Sequence, residues 1–264
     1  MSRVRILAVL AAALAMIAAL TGQANADHAW GTYHWARTAS AFTLQVVDSV
    51  TPDWQFEFDT SLTEWGTSDV LDLAVDGNDD SSRTRKQCRA VPGKMRVCNA
   101  AYGYNGWLGL ASISLDANRH ITAGVAKMND SYSSYWDDPN EKRHVMCQEI
   151  GHVFGLGHTS EDGTSQQTCM DYSSDPRSIS PNGHDYELLG QIYAHLDSYD
   201  SYAAGSGGGG GDGGGCNPRS PKCSGSSVDG REFGELVSSS DHHETWVRRG
   251  PGGTVTITHL YLAS

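Results

Sequence analysis

Basic residues are scarce in this chain of 264 residues. It has 19 Lys and Arg residues against 31 Asp and Glu residues, and its formal net charge is −12 at pH 7. Proteins that bind nucleic acid or an anionic membrane surface usually carry clustered Lys and Arg side chains. We therefore expect no nucleic-acid partner, and no membrane partner for the mature chain.

The sequence also lacks any internal repeat. Its composition excludes the collagen, coiled-coil and integral-membrane classes. The length allows one sizeable domain with an appendage, or two small domains, so a hydrophobic core can form. We expect a monomer.

The first 26 residues have the three parts of a secretory signal peptide. Residues 1–5 form a short basic start, residues 6–20 form an apolar run rich in Ala and Leu, and Ala24-Asn25-Ala26 is a small-x-small cleavage site. A membrane anchor is the less favoured alternative, because it needs about 20 apolar residues and would lack the cleavage motif. We therefore expect a secreted, extracellular protein that begins near Asp27.

No Cys-x-x-Cys pair occurs, so a zinc site built from thiolates is disfavoured. The six cysteines form an even set, which in an oxidising compartment favours disulfide bonds and leaves several connectivities open. The simplest one pairs neighbours in the sequence. It joins Cys88 to Cys98, Cys147 to Cys169, and Cys216 to Cys223.

A glycine-rich segment divides the mature chain. Residues 205–215 read GSGGGGGDGGG, which is typical of a flexible linker. We therefore expect a main domain over 27–203, a linker with a small Cys loop over 204–227, and a β-hairpin tail over 228–264.

The tail has the pattern of a hairpin, with TWVRR and TVTIT on either side of GPGG. Val255, Ile257, His259 and Tyr261 alternate along one face of its second strand. So few strands are marginally stable alone, so we expect the hairpin to pack on the main domain or on a partner. His242 and His243 fit an exposed polar turn better than a metal site.

The main domain mixes strand and helix patterns. Strands are predicted over 42–50, 70–75, 108–115 and 121–128, and helices from Thr51 to Trp65, from Asn140 to Gly155 and over 184–196. This order indicates an α/β or α+β fold. The acidic loop DGNDD at 76–80 fits a solvated loop better than a structural Ca²⁺ site, because its spacing matches no full calcium loop.

The chemistry of the sequence is concentrated in QEIGHVFGLGH, residues 148–158. Gln148 and His152 are four residues apart on one helix, so their side chains project together with Glu149 beside them. Gly155 lets the chain leave the helix, so that His158 can approach His152. Two imidazoles and a carboxylate at one point are what metal-assisted hydrolysis requires.

This segment resembles the signature of the metzincin zinc metallopeptidases, His-Glu-x-x-His-x-x-Gly-x-x-His, with Gln148 in place of the first His. Downstream, Cys169-Met170-Asp171-Tyr172 resembles the Met-turn of that family, and its Met-x-Tyr spacing is similar to the astacin and serralysin branches. The resemblance covers residues 27 to about 200 and is to a matrixin/astacin-like catalytic domain.

The resemblance implies a twisted mixed β-sheet with a long active-site helix and a small C-terminal subdomain. It implies one catalytic Zn²⁺ bound by His152, His158 and Gln148, with Met170 of the Met-turn beneath the metal. Glu149 would be the general base toward a metal-activated water, and Tyr172 would stabilise the oxyanion.

The resemblance also concerns the substrate and the surroundings of the site. The strand over 107–115 resembles the edge strand on which the family binds an extended polypeptide by strand addition. A bridge between Cys147 and Cys169 would join the metal helix to the Met-turn. His144 lies about 12 Å of helix from His152, so we expect it at the surface or around the site and not as a ligand.

Two functions follow. The first is a secreted zinc-dependent endopeptidase that hydrolyses peptide bonds. The second is a catalytically inactive metzincin-like module that binds protein. Glu149 favours the first, because a binding module needs no general base, and the loss of the first His favours the second.

Overall fold

A computed structural model describes residues 28–202 and 232–263. The signal peptide, the glycine-rich linker, and Cys216 and Cys223 lie outside the described residues. Within the described ranges, each helix is too short or too polar to cross a bilayer.

Nine strands and four α-helices make up the described chain. The strands are β1 (His34–Trp35), β2 (Phe42–Ser49), β3 (Leu71–Asn78), β4 (Lys94–Ala100), β5 (Trp107–Leu115), β6 (His120–Asn129), β7 (Glu235–Ser239), β8 (His243–Arg249) and β9 (Val255–Leu262). The helices are α1 (Gln55–Trp65), α2 (Ser82–Gln87), α3 (Pro139–Val153) and α4 (Gly183–Ile192), and a 3-10 turn (Pro52–Trp54) precedes α1.

The strands form one mixed sheet in the order β3-β2-β4-β6-β5-β9-β8-β7, and β1 pairs with one end of β6. Strands β3, β2, β4 and β6 are parallel to their neighbours, whereas β5, β9, β8 and β7 join the sheet by antiparallel pairing. The predicted α/β class with a twisted mixed sheet is confirmed.

Helix α3 lies against the sheet and is buried from His144 through Val153. The helix begins at Pro139, one residue before the predicted start at Asn140. The Asp138 side chain caps it by accepting a hydrogen bond from the Asn140 amide, and Pro139 takes the first helical position. The indole N–H of Trp65, on α1, donates to the Cys147 carbonyl oxygen at 3.0 Å, which ties α1 to α3. Both neighbouring cysteine pairs in the described chain are bonded, Cys88 to Cys98 and Cys147 to Cys169.

The tail extends the sheet of the main domain. Strand β9 pairs with β5 along its full length, from Trp107 opposite Leu262 to Leu115 opposite Val255. The expectation that the tail packs on the main domain is confirmed. The expectation that β5 is a free edge is wrong in this structure, because the backbone groups of β5 that would pair with a substrate are paired with β9.

The structure also bears on the predictions for His243 and for the acidic loop at 76–80. The exposed turn predicted for His243 is wrong, since its side chain is buried, with its ring 5.4 Å from that of His259 and 5.2 Å from that of His158. In the acidic loop, Asp76 pairs with Lys94 and the Asp79 carboxylate lies 3.8 Å from Arg96. Basic side chains of β4 therefore offset the charge of this loop, and a calcium ion there stays an unsupported prediction.

Candidate metal centre

Helix α3 and the turn after it bring two histidines together. The helix ends at Val153, and Gly155 has a φ of +95° with its α-carbon packed so tightly that a Cβ would lie 2.1 Å from the Tyr33 carbonyl oxygen. Only glycine fits this turn, which redirects the chain toward the helix. As a result the Nε2 atoms of His152 and His158 lie 3.0 Å apart.

A third imidazole comes from the tail. His259 of β9 lies with His152 and His158 in a group whose candidate ligand atoms are all within 4.8 Å of one another. The Tyr172 hydroxyl lies 2.8 Å from Nε2 of His158 and 2.9 Å from Nε2 of His259. The sequence pattern predicted no role for His259, and a histidine on the otherwise apolar face of β9 is the signal that could have indicated one.

Two of these histidines, His152 and His158, have an acceptor near Nδ1. Nδ1 of His152 donates to the Leu156 carbonyl oxygen at 2.8 Å, and Nδ1 of His158 lies 3.4 Å from the Glu161 carboxylate. Nδ1 of His259 lies 4.0 Å from Oε2 of Glu149. For His152 and His158 the acceptor at Nδ1 favours the tautomer whose Nε2 lone pair is free, which is the form that binds a metal ion, whereas Nδ1 of His259 has no hydrogen-bond partner.

Burial keeps these histidines neutral. It lowers the pKa of His152, His158 and His259 well below the usual value, and the neighbouring imidazoles lower it further. Neutral imidazoles are zinc ligands, and tetrahedral zinc would hold two nitrogens about 3.3 Å apart. The donor set and the 3.0 Å between the Nε2 atoms of His152 and His158 therefore fit a zinc ion, with a ring nitrogen of His259 within 4.8 Å of both.

Glu149 lies beside the cluster with neither carboxyl oxygen hydrogen-bonded. Burial raises its pKa well above the usual value, which favours the protonated carboxyl. Gly109 of β5 makes room for it, because a Cβ there would lie 2.4 Å from Oε1 of Glu149.

Gln148 is anchored to the segment that contains Cys169 and Asp171. Its amide nitrogen donates to the carbonyl oxygens of Cys169 and Asp171, at 2.9 and 2.8 Å, and its Oε1 is buried with no hydrogen-bond partner. His144 is buried one turn before Gln148, and its Nδ1 donates to the Ser178 carbonyl oxygen at 2.5 Å. The surface position considered for His144 is therefore wrong, and its ring packs around Gln148, 3.5 Å from the amide nitrogen.

Met170 packs against α3 at Gly151. A Cβ on Gly151 would lie 2.6 Å from Sδ of Met170 and 2.7 Å from the Trp65 ring, so only glycine lets the thioether approach the helix so closely. The bridge between Cys147 and Cys169 joins the same two segments. The predicted site residues of α3 and of the Met-turn are thus held together by packing and by a covalent bond.

The site is closed in this structure. His152, His259 and Glu149 are at most 2% exposed, and Tyr172 is 5% exposed. Burial, and next the Glu149 carboxyl, raise the pKa of Tyr172 well above its usual value, so its hydroxyl keeps its proton. Strand β9 supplies much of this cover, because it lies along β5 and carries His259.

Comparisons with protein families and with curated proteins find no match. Among solved structures, the chain is similar to archaemetzincin from Methanopyrus kandleri, with 18% identity over 60% of this chain and 98% of that chain and a TM-score of 0.36. It is also similar to high choriolytic enzyme 1, a hatching-enzyme zinc protease from the medaka fish Oryzias latipes. That similarity has 10% identity over 61% of this chain and 94% of that chain, with a TM-score of 0.34.

Proposed function

We propose that this chain is a secreted zinc-dependent endopeptidase held in a closed form by its own C-terminal tail. The observation that carries the proposal is the meeting of His152, His158 and His259 beside the unpaired carboxyl of Glu149. The proposed substrate is an extended polypeptide, and secretion follows from the signal-peptide pattern and agrees with the two disulfide bonds.

The ligand set has a constant part and a removable part. We assign His152, His158 and Oε1 of Gln148 to the constant part. The amide nitrogen of Gln148 is already held by two carbonyl oxygens, which leaves its buried, unpartnered Oε1 as the atom free to bind. His259 belongs to the removable part, because it is on the tail strand.

With and without His259, the ligand set corresponds to two kinds of zinc site. A fully ligated site is structural, whereas a catalytic site has three protein ligands and an open position. With His259 in place the site has its full number of protein ligands. When β9 leaves β5, the position of His259 becomes open and the backbone of β5 becomes free for a peptide strand.

The reaction then depends on groups of this chain. Zinc, when bound, would polarise a carbonyl and lower the pKa of water toward about 7. Glu149 would accept a proton and return it to the leaving amine, and opening of the site lowers its pKa because water reaches the carboxylate. The Tyr172 hydroxyl would donate a hydrogen bond to the oxyanion, since burial keeps it protonated.

The second candidate function is an inactive metal-binding module that binds protein. The observation that favours it is the complete cover of the site, with β9 paired along all of β5. If His259 is a permanent ligand, the site is closed permanently and no peptide can enter.

Hydrolysis of an unfolded protein substrate by the zinc-loaded full chain separates these functions. The proposal predicts hydrolysis that a chelator abolishes and that Glu149→Gln lowers by about 10²-fold or more. Glu141→Gln is the matched control, because it makes the same change on the same helix away from the cluster and should keep the activity. A zinc-loaded wild-type chain that cleaves no peptide bond would support the inactive module.

A further inference from the structure

A second group of metal-binding side chains lies outside the candidate metal centre. It consists of His34 on β1 and of His195 and Asp197, which follow α4. Nε2 of His34 lies 3.1 Å from Nε2 of His195 and 3.4 Å from Oδ2 of Asp197. Nε2 of His195 lies 3.7 Å from Oδ1 of Asp197.

These distances match the edges of a small coordination sphere. Two ligand atoms bound to one tetrahedral zinc ion at 2.0–2.1 Å are about 3.3 Å apart. The three pairs measured here span 3.1 to 3.7 Å, so one ion can reach all three side chains with small movements. Histidine and carboxylate are both ordinary zinc ligands.

Neighbouring groups orient these ligands as they do around a metal ion. Nδ1 of His34 donates to the Thr32 carbonyl oxygen at 2.9 Å, which leaves its Nε2 lone pair directed at the group. The Asp197 carboxylate accepts a hydrogen bond from the Arg37 amide at 3.0 Å, and Nε2 of His120 lies 3.3 Å from its Oδ1. The pairing of β1 with β6 places His120 beside His34.

Two of the three side chains are largely buried and one is exposed, so an ion can reach the group from solution. His34 and Asp197 are 10% and 9% exposed, so they are positioned by packing, whereas His195 is 56% exposed and leaves an entry path. We propose that His34, His195 and Asp197 form a second zinc site, with His120 orienting the carboxylate. The site joins β1 to the segment after α4. Neither disulfide bond of the described chain reaches these two segments, so the role of the zinc ion is to hold them together.

Zinc titration of the full chain tests this site apart from the first. In a chain with His152→Asn and His158→Asn, we expect one zinc ion to remain bound. Adding His195→Asn and Asp197→Asn should remove that ion, whereas adding His184→Asn, an exposed histidine outside the group, should not. Zinc at 100-fold above its Kd should raise the Tm of the chain with only the first pair changed by about 5–10 °C.

Wild-type protein gives a second measurement that needs no change at the first site. His195→Asn, at a half-exposed position, should lower the zinc content from two ions per chain to one while the Tm of the zinc-free chain stays the same. A wild-type chain with one ion that His195→Asn does not remove would overturn the proposal. If the first site fails to bind zinc, the single ion of the wild type would instead be lost on His195→Asn, so the two proposals fail in different ways.

Discussion

Nδ1 of His259 lies 4.0 Å from Oε2 of Glu149, so a tail residue approaches the Glu149 carboxyl group of the candidate metal centre. Glu149 lies on α3, before the glycine-rich linker in the sequence, and His259 lies on β9, after it. Their approach follows from the pairing of β9 with β5 and from Gly109, which leaves space for the Glu149 side chain. The tail is therefore part of the site and not an appendage.

Replacing His259 should open the site without emptying it. For His259→Asn we expect one zinc ion to stay at His152 and His158 and kcat/KM for an unfolded substrate to rise at least about 10-fold, because a protein ligand no longer fills the open position. The measurements are zinc content and initial rates. His242→Asn is the control, since His242 stacks on Tyr172 but lies outside the cluster.

A loss of zinc in His259→Asn would contradict this. It would make His259 an obligatory ligand and favour the inactive module.

Locking β9 onto β5 should abolish activity. Ser112 and Thr258 face each other on the two strands, with their hydroxyl oxygens 3.1 Å apart. A disulfide between Ser112→Cys and Thr258→Cys should form readily at this spacing. We expect the oxidised variant to be inactive and to recover on mild reduction, as β9 must leave for a peptide to enter.

The wild-type chain treated with the same reductant is the control for its own disulfide bonds. Full activity of the oxidised, cross-linked variant would show that substrate enters without release of β9.

Gln148→His should separate metal binding from stability. An imidazole is a better zinc donor than an amide oxygen, so we expect a lower Kd for zinc in a competition assay with a chelator. The change removes the two hydrogen bonds to Cys169 and Asp171, which should destabilise the metal-free chain by about 2 kcal/mol and lower its Tm by about 4–8 °C. If Tm falls while the Kd for zinc is unchanged, Gln148 is a positioning residue only.

The metal-free chain should lose stability as the pH falls from 7.5 to 5.5. Burial lowers the pKa of five histidines in or beside the site, namely His144, His152, His158, His243 and His259. Below pH 6.5 the unfolded state therefore binds more protons than the folded state, and the free energy of unfolding decreases as the pH decreases.

Carboxyl groups whose pKa is raised act in the opposite direction, and burial raises the pKa of Asp130 and Asp185 as well as that of two glutamates. Burial raises the pKa of Glu149, and burial followed by the charge of Asp138 raises that of Glu141 to about 7, so the folded state keeps their protons. Asp130 and Asp185 start from a lower pKa and are shifted less, so the five histidines outweigh the carboxyl groups between pH 7.5 and 5.5, and Tm should be lower at pH 5.5. Glu149→Gln removes one opposing group and should steepen the decrease; a Tm that rises on acidification would contradict the assignment of neutral histidines.

Local patterns were sufficient to predict much of this fold. The strands at 42–49, 107–115 and 120–129 and the hairpin of β8 and β9 follow from alternation and turn residues, and the approach of His158 to His152 follows from the helix stop at Gly155. Sequence proximity also predicted both disulfide bonds in the described chain. These features need contacts only between residues close in the sequence.

Strand β4 and the place of His259 in the metal centre were not predicted, because both depend on contacts between residues far apart in the sequence. Strand β4 has Lys94 and Arg96 alternating with Met95 and Val97, and only its place between β2 and β6 buries that apolar face. His259 reaches the metal centre because β9 selects β5 as its partner and takes one register, with Ala111 opposite His259. A shift of one residue would turn His259 to the other face, and no local pattern sets that register.

Anomalous diffraction at the zinc edge, from crystals of the zinc-loaded full chain, tests the metal centre most directly. We predict a peak bonded to Nε2 of His152, His158 and His259 at about 2.0–2.1 Å, with Oε1 of Gln148 as the fourth ligand. Two results would contradict a zinc site closed by the tail: no anomalous peak beside His152 and His158, or a zinc ion bound there while the His259 side chain points away from it.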